Sequence, residues 1–143
     1  MKSFYAIILI TFFGFQTYGL AQNQSHKNTS EIPIIDRMLI SDSLDITFHS
    51  AGCFNNTTKT ISIIKNDSNF IAVFNNTEII LNPSKVEALR NFENQLKTTQ
   101  PTGCSTIDTY ILKYRNEKNV YKDDTCSNFY GKLLLQNLEI EFN

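Results

Sequence analysis

From residue 41 onward, hydrophobic positions recur in short blocks with either the two-residue period of a half-buried strand or the 3.6-residue period of an amphipathic helix. Leu44-Asp45-Ile46-Thr47-Phe48-His49 puts Leu44, Ile46 and Phe48 on one side and Asp45, Thr47 and His49 on the other, which predicts a strand. A turn over 50–56 leads to a second strand over Thr58–Lys65, carrying Ile61, Ile63 and Ile64. Asn66-Asp67-Ser68-Asn69 is built of residues that bond their own backbone or tolerate positive φ, so a turn is expected there. Phe70–Phe74, apolar on both parities, reads as a third strand, and Glu78–Leu81, after Asn75-Asn76, as a short fourth.

Asn82-Pro83 is a helix start, a side-chain cap followed by proline at the first helical position. Val86, Leu89, Phe92 and Leu96 then fall on one helical face, with Lys85, Arg90, Asn94 and Lys97 elsewhere, so a helix is predicted from Pro83 to the region of Lys97. After Pro101-Thr102-Gly103, strands over Ile107–Tyr114 and Asn119–Asp123 flank a turn at 115–118. Ser127 caps a last predicted helix holding Phe129, Leu133, Leu134 and Leu138, which Gly131 weakens by about 1 kcal/mol relative to Ala. Ile140 and Phe142 alternate as in a terminal strand.

Residues 41–143 are therefore expected to form one α+β domain, an antiparallel sheet of about five or six strands with two helices on one face. The order of elements also suggests a ββα–ββα pseudo-repeat. Gly52-Cys53 precedes a strand ending at Lys65, and Gly103-Cys104 precedes one ending at Arg115.

The first forty residues follow another pattern. Lys2 is followed by an apolar run from Phe4 to Phe15, and small residues stand at Gly19 and Ala21. That is the layout of a secretory signal peptide over 1–21, cut after Ala21. The run is shorter than the roughly 20 residues that span a membrane. Residues 22–40 read as a polar lead-in followed by an apolar segment, Ile32–Ile40, that packs on the domain edge as a short helix or strand. The expected location is secreted or periplasmic, with no membrane contact after cleavage.

Composition changes this picture little. The chain of 143 residues is 41% hydrophobic and 19% charged. Its net charge of −1 offers no basic excess for nucleic acid, so none is expected as a partner.

Cysteine use matters more. The chain beyond residue 21 holds Cys53, Cys104 and Cys126. In an oxidising compartment two of them are expected to pair. Cys104 and Cys126 bracket the second hairpin and are the favoured disulfide, which closes a loop of about 20 residues and contributes about 3 kcal/mol. Cys53 is then a free thiol. If the repeat holds, Cys53–Cys104 is the alternative.

No residue set points firmly to a reaction. His49 and Cys53 are the one candidate base and nucleophile, but no acid or amide stands where it orients the imidazole. There is no Cys-x-x-Cys for zinc and no calcium loop around Asp108, Asp123 and Asp124, which read as solvated turn charges. No catalytic set, metal or cofactor is expected. Tyr110, Tyr114 and Tyr121 suggest either core packing or an aromatic binding face on an open side of the sheet.

The leading expectation is an exported, non-enzymatic binding domain, inhibitor- or immunity-like, whose partner is another protein. A small hydrolase or thiol-redox protein using Cys53 and His49, and a structural envelope protein, are the alternatives.

Overall fold

A computed structural model describes residues 32–52, 55–98, 107–123 and 130–141. A one-turn helix α1 (Ile34–Arg37) is followed by β1 (Ser43–Gly52), β2 (Asn55–Lys65), β3 (Phe70–Phe74), β4 (Thr77–Leu81), α2 (Pro83–Thr98), β5 (Ile107–Tyr114), β6 (Glu117–Asp123) and α3 (Tyr130–Leu138). The strands form one antiparallel sheet in the order β4-β3-β2-β1-β5-β6. The α+β class and the six-stranded antiparallel sheet are thus observed. Four strands precede α2 and two precede α3.

Strand parity decides what the sheet buries. Phe48 sits opposite Tyr110, Ile46 opposite Leu112 and Leu44 opposite Tyr114. Ile46 also pairs with Ile61 and Leu44 with Ile63. All of these side chains share one face, which is buried and joined by Ala72, Phe74 and Leu81 from the later strands. We call it the inner face. Each large side chain buried there contributes about 1.5–3 kcal/mol.

The turns follow local chemistry. Asn75 and Asn76 both take positive φ, 48° and 64°, as a two-residue hairpin that matches strand twist requires. The helix start at Asn82-Pro83 is realised: Asn82 Oδ1 accepts from the Lys85 N–H at 2.9 Å. Leu89, Phe92 and Leu96 are buried, and Phe92 packs against Phe48 and Tyr110 with ring centroids 6.3 and 5.3 Å apart.

Two positions of α2 depart from the helical pattern. Lys85 and Glu93 are buried although neither is apolar. Glu93, only 2% exposed, accepts from the N–H groups of Ile34 at 2.7 Å and Ile35 at 3.1 Å. Those are first-turn donors of α1, which have no partner within the helix. Burial raises the Glu93 pKa, against the pull of these two donors and of Lys97 and Arg37. The segment 32–40 thus becomes a helical turn with Ile34, Ile35 and Met38 buried and Ile32, Leu39 and Ile40 exposed.

Gly131 has a packing reason to be glycine. A Cβ added there lies 2.5 Å from Tyr110 Cε1 and 2.9 Å from Phe48 Cδ1. Both rings are buried, so neither can swing away cheaply. Ala at this position gains about 1 kcal/mol of helix propensity and loses about 1–3 kcal/mol to overpacking. Gly131→Ala is therefore expected to lower the thermal midpoint, as measured by circular dichroism. A midpoint raised by the propensity gain overturns this account of the contact.

Candidate functional site

A cleft of about 470 Å³ opens at the end of the sheet where β1 hands over to β2. Its floor is the inner face of three adjacent strands. Phe48 pairs with Lys59, and Ser50 pairs with both Thr57 and Asp108. The first turns of α3 form the opposite wall through Gly131, Lys132 and Leu135. The lining therefore combines an apolar base, Phe48 and Leu135, with two ammonium groups, two hydroxyls, a carboxylate and His49.

Behind Asp108 lies a buried polar cluster. The Tyr110 hydroxyl donates to Asp123 Oδ2 at 3.0 Å, lies 3.4 Å from Asp108 Oδ2, and accepts from the Gly131 N–H at 3.0 Å. Asp123 Oδ2 also accepts from the Tyr130 N–H at 2.9 Å. Asp123, 0% exposed, thus sits at the positive end of α3. Burial, with the two neighbouring carboxylates, holds the Tyr110 hydroxyl far above its ordinary pKa, so it stays a neutral donor. Asp108 is raised as well, first by burial and then by the Asp123 charge, against hydrogen bonds from Ser50 and Tyr110. Its Oδ1 atom is buried without a hydrogen-bond partner among the described residues.

The arrangement is suited to binding. Ser50 faces the cleft, while the imidazole of the preceding residue, His49, has Nδ1 2.9 Å from Thr58 Oγ1 on the adjoining strand. Successive residues of a strand point to opposite faces, yet His49 also lines the cleft at this end of β1. Among the described residues no three His, Cys, Asp or Glu side chains gather to hold a metal ion. Cys53, and with it the Cys53–His49 pairing, lies outside the described residues, as do Cys104 and Cys126.

The aromatic residues are placed differently from the open face considered for them. Tyr110 and Tyr114, 1% and 2% exposed, belong to the core. Tyr121, opposite Tyr110, is half-buried against it. Both parities of β5 carry apolar residues, and only pairing with β1 decides that Tyr110, Leu112 and Tyr114 go inside. The outer face is instead a mosaic. Asp45 accepts from Ser62 at 2.7 Å, and the Thr47 and Thr60 hydroxyls meet at 2.9 Å. Isoleucines lie toward β4, at Ile64, Ile71 and Ile80.

Asp123 is likewise buried rather than a solvated turn charge. The sequence carried a signal for it and for the cleft. Lys59 shares the parity of Ile61 and Ile63, Asp108 that of Tyr110 and Leu112, and Asp123 that of Tyr121. A charge on the apolar parity of a strand marks a place where the inner face turns polar.

The shifted Asp108 gives a pH test. Its folded pKa is raised above the ordinary 3.8, so its contribution to stability is full below that value and is lost as pH rises through the folded value. A carboxamide in its place does not titrate. Asp108→Asn is therefore expected to gain thermal midpoint relative to wild type as pH is raised from about 3 to about 7, measured by calorimetry. A difference that stays flat or falls with pH refutes the assignment.

No helix among the described residues is long and apolar enough to cross a membrane. Comparison with protein-family models, with curated proteins and with solved structures finds no match for this chain.

Proposed function

We propose that this chain is an exported, non-enzymatic binding domain that recognises another protein, in the manner of an inhibitor or immunity protein, and that the cleft beside α3 is its contact site. The observation that carries the reading is the convergence of Ser50, Thr57, Lys59, Asp108 and Lys132 on an apolar base of Phe48 and Leu135. Protein-binding hot spots combine a concave, partly desolvated base with a few directed polar groups. These groups are held mainly by sheet positions, so little conformational entropy is lost when a partner enters. Lys59 and Lys132 favour an acidic or carbonyl-bearing group of the partner, and Asp108 offers an acceptor beside them.

The test compares immobilised wild type with the double variant Lys59→Glu, Lys132→Glu against the exported proteins of the host. Both positions are at least partly exposed, so the variant is expected to keep its fold, which circular dichroism checks. A protein retained by wild type and lost by the variant is the expected result. Identical sets on both surfaces, or nothing on either, reject the cleft as contact site.

The export reading includes cleavage after Ala21, a Cys104–Cys126 disulfide and a free thiol at Cys53. Register supports the pairing. Asp108 and Asp123 are partners across β5 and β6, with Cys104 four residues before the first and Cys126 three residues after the second. Non-reducing peptide mapping of exported protein, alkylated before digestion, is expected to show a mass beginning at Gln22, a joined 104–126 peptide and an alkylated Cys53. A peptide joining Cys53 to Cys104 contradicts the assignment, and a mass beginning at Met1 contradicts the export.

A further inference from the structure

We propose that β4 is the surface through which two copies of this chain pair, edge to edge and antiparallel, about a twofold axis at Ile80. The sheet ends in two strands, β4 and β6, and their outward chemistry differs. An edge strand presents unpaired N–H and C=O groups, and proteins that must stay single guard such edges with charge, lysine above all.

β6 is guarded. On the outer face its successive side chains are Lys118, Val120 and Lys122, opposite Lys113, Ile111 and Thr109 of β5. Two copies of β6 pairing antiparallel about Val120 bring Lys118 of one against Lys122 of the other, twice. Like charges directly opposite are destabilising.

β4 carries no such guard. It reads Thr77-Glu78-Ile79-Ile80-Leu81, and its outer face shows Ile80, 66% exposed. Among the described residues it pairs with β3 alone. A twofold at Ile80 sets Ile80 against its own copy, Ile79 against Leu81 and Glu78 against Asn82. The single charge of the strand thus meets an amide rather than itself, Thr77 falls opposite Pro83, and the contacts between these are apolar. Pro83 ends the ladder without interrupting it, because proline has no N–H to donate.

The same axis completes a row already begun inside each sheet. Ile64 is the partner of Ile71, and Ile71 of Ile80. Pairing at Ile80 continues this row into its copy, so that the three isoleucines of each chain run side by side with those of the other on one face. Branched side chains opposite one another are the favourable cross-strand pair, and an interface of this kind is isologous, the commonest form of closed homodimer.

The test is sedimentation equilibrium of the exported chain, with Ile80→Lys, Val120→Lys and Ile80→Cys as variants. Wild type is expected to give twice the chain mass, Val120→Lys the same, and Ile80→Lys a dissociation constant raised at least about tenfold, about 1.4 kcal/mol. Should Ile80→Lys fail the fold check, Ile80→Cys decides. Directly opposite Cα atoms lie about 4.5–5.5 Å apart in an antiparallel pair, within disulfide range, so oxidation is expected to yield a covalent dimer joined at position 80. A wild type that stays monomeric up to about 1 mM overturns the proposal. So does a dimer that Ile80→Lys leaves intact, one that Val120→Lys breaks equally, or an Ile80→Cys protein that oxidation does not join at position 80.

Discussion

The buried carboxylate of Asp123 is the constraint on which the cleft end of this molecule depends. A charge removed from water must be hydrogen-bonded or neutralised, and Asp123 is bonded by the Tyr110 hydroxyl and the Tyr130 N–H. Each of those donors has a structural consequence. The Tyr110 hydroxyl, oriented toward Asp123, accepts the Gly131 N–H, and the Tyr130 and Gly131 N–H groups belong to the first turn of α3. One carboxylate on the last residue of β6 therefore fixes where α3 begins and how closely it approaches β5. The absence of a side chain at Gly131 allows that approach, and the cleft is the space left between α3 and the ends of β1, β2 and β5.

A second buried carboxylate plays the same part at the other end. Glu93 reaches from α2 to the first two N–H groups of α1, so a four-residue helix that cannot stand alone is held by a longer one. Arg37 continues the connection with a bidentate contact to Glu117, both distances 2.9 Å, and Arg90 binds Asp36 from α2. The Tyr114 hydroxyl lies 2.7 Å from Asp42 Oδ2 and 3.0 Å from the Arg37 carbonyl, tying the entry of β1 to the end of α1. The exposed members of this set contribute little individually. Glu93 matters more, because removing it leaves two buried donors unpaired, a cost of about 1–3 kcal/mol each.

Most of the elements were legible in the sequence because their signals are local. The alternation from Leu44 to His49, the cap-and-proline start of α2, and the Asn-Asn turn each express a preference that neighbouring residues alone decide. The limits of Phe70–Phe74 and Ile107–Tyr114 follow from apolar runs and the turn residues beside them. Parity was not legible where both faces of a strand carry apolar residues, which is why the tyrosines of β5 could be considered for an open face. Long-range polar contacts were not legible either. Glu93 to Ile34 spans 59 positions, and nothing near either residue announces the other. The cleft falls between these cases. Its charged residues on apolar parities were visible, but their convergence depends on β1 lying between β2 and β5, a consequence of the whole sheet order.

That order also governs how an edge-to-edge dimer uses the cleft. β1 lies three strands in from β4, so two clefts related by a twofold at Ile80 are separated by seven strand spacings, about 34 Å at ~4.8 Å each. In a flat sheet they would open on the same side and could hold one partner twice. Sheets twist by about 20° per strand, and seven steps accumulate to roughly 140°. The two clefts then open in nearly opposite directions. A compact partner can occupy only one of them, so such a dimer binds two partners independently and gains no avidity for either. Pairing through β4 then acts on stability and solubility by covering an apolar edge, while recognition stays a property of each chain.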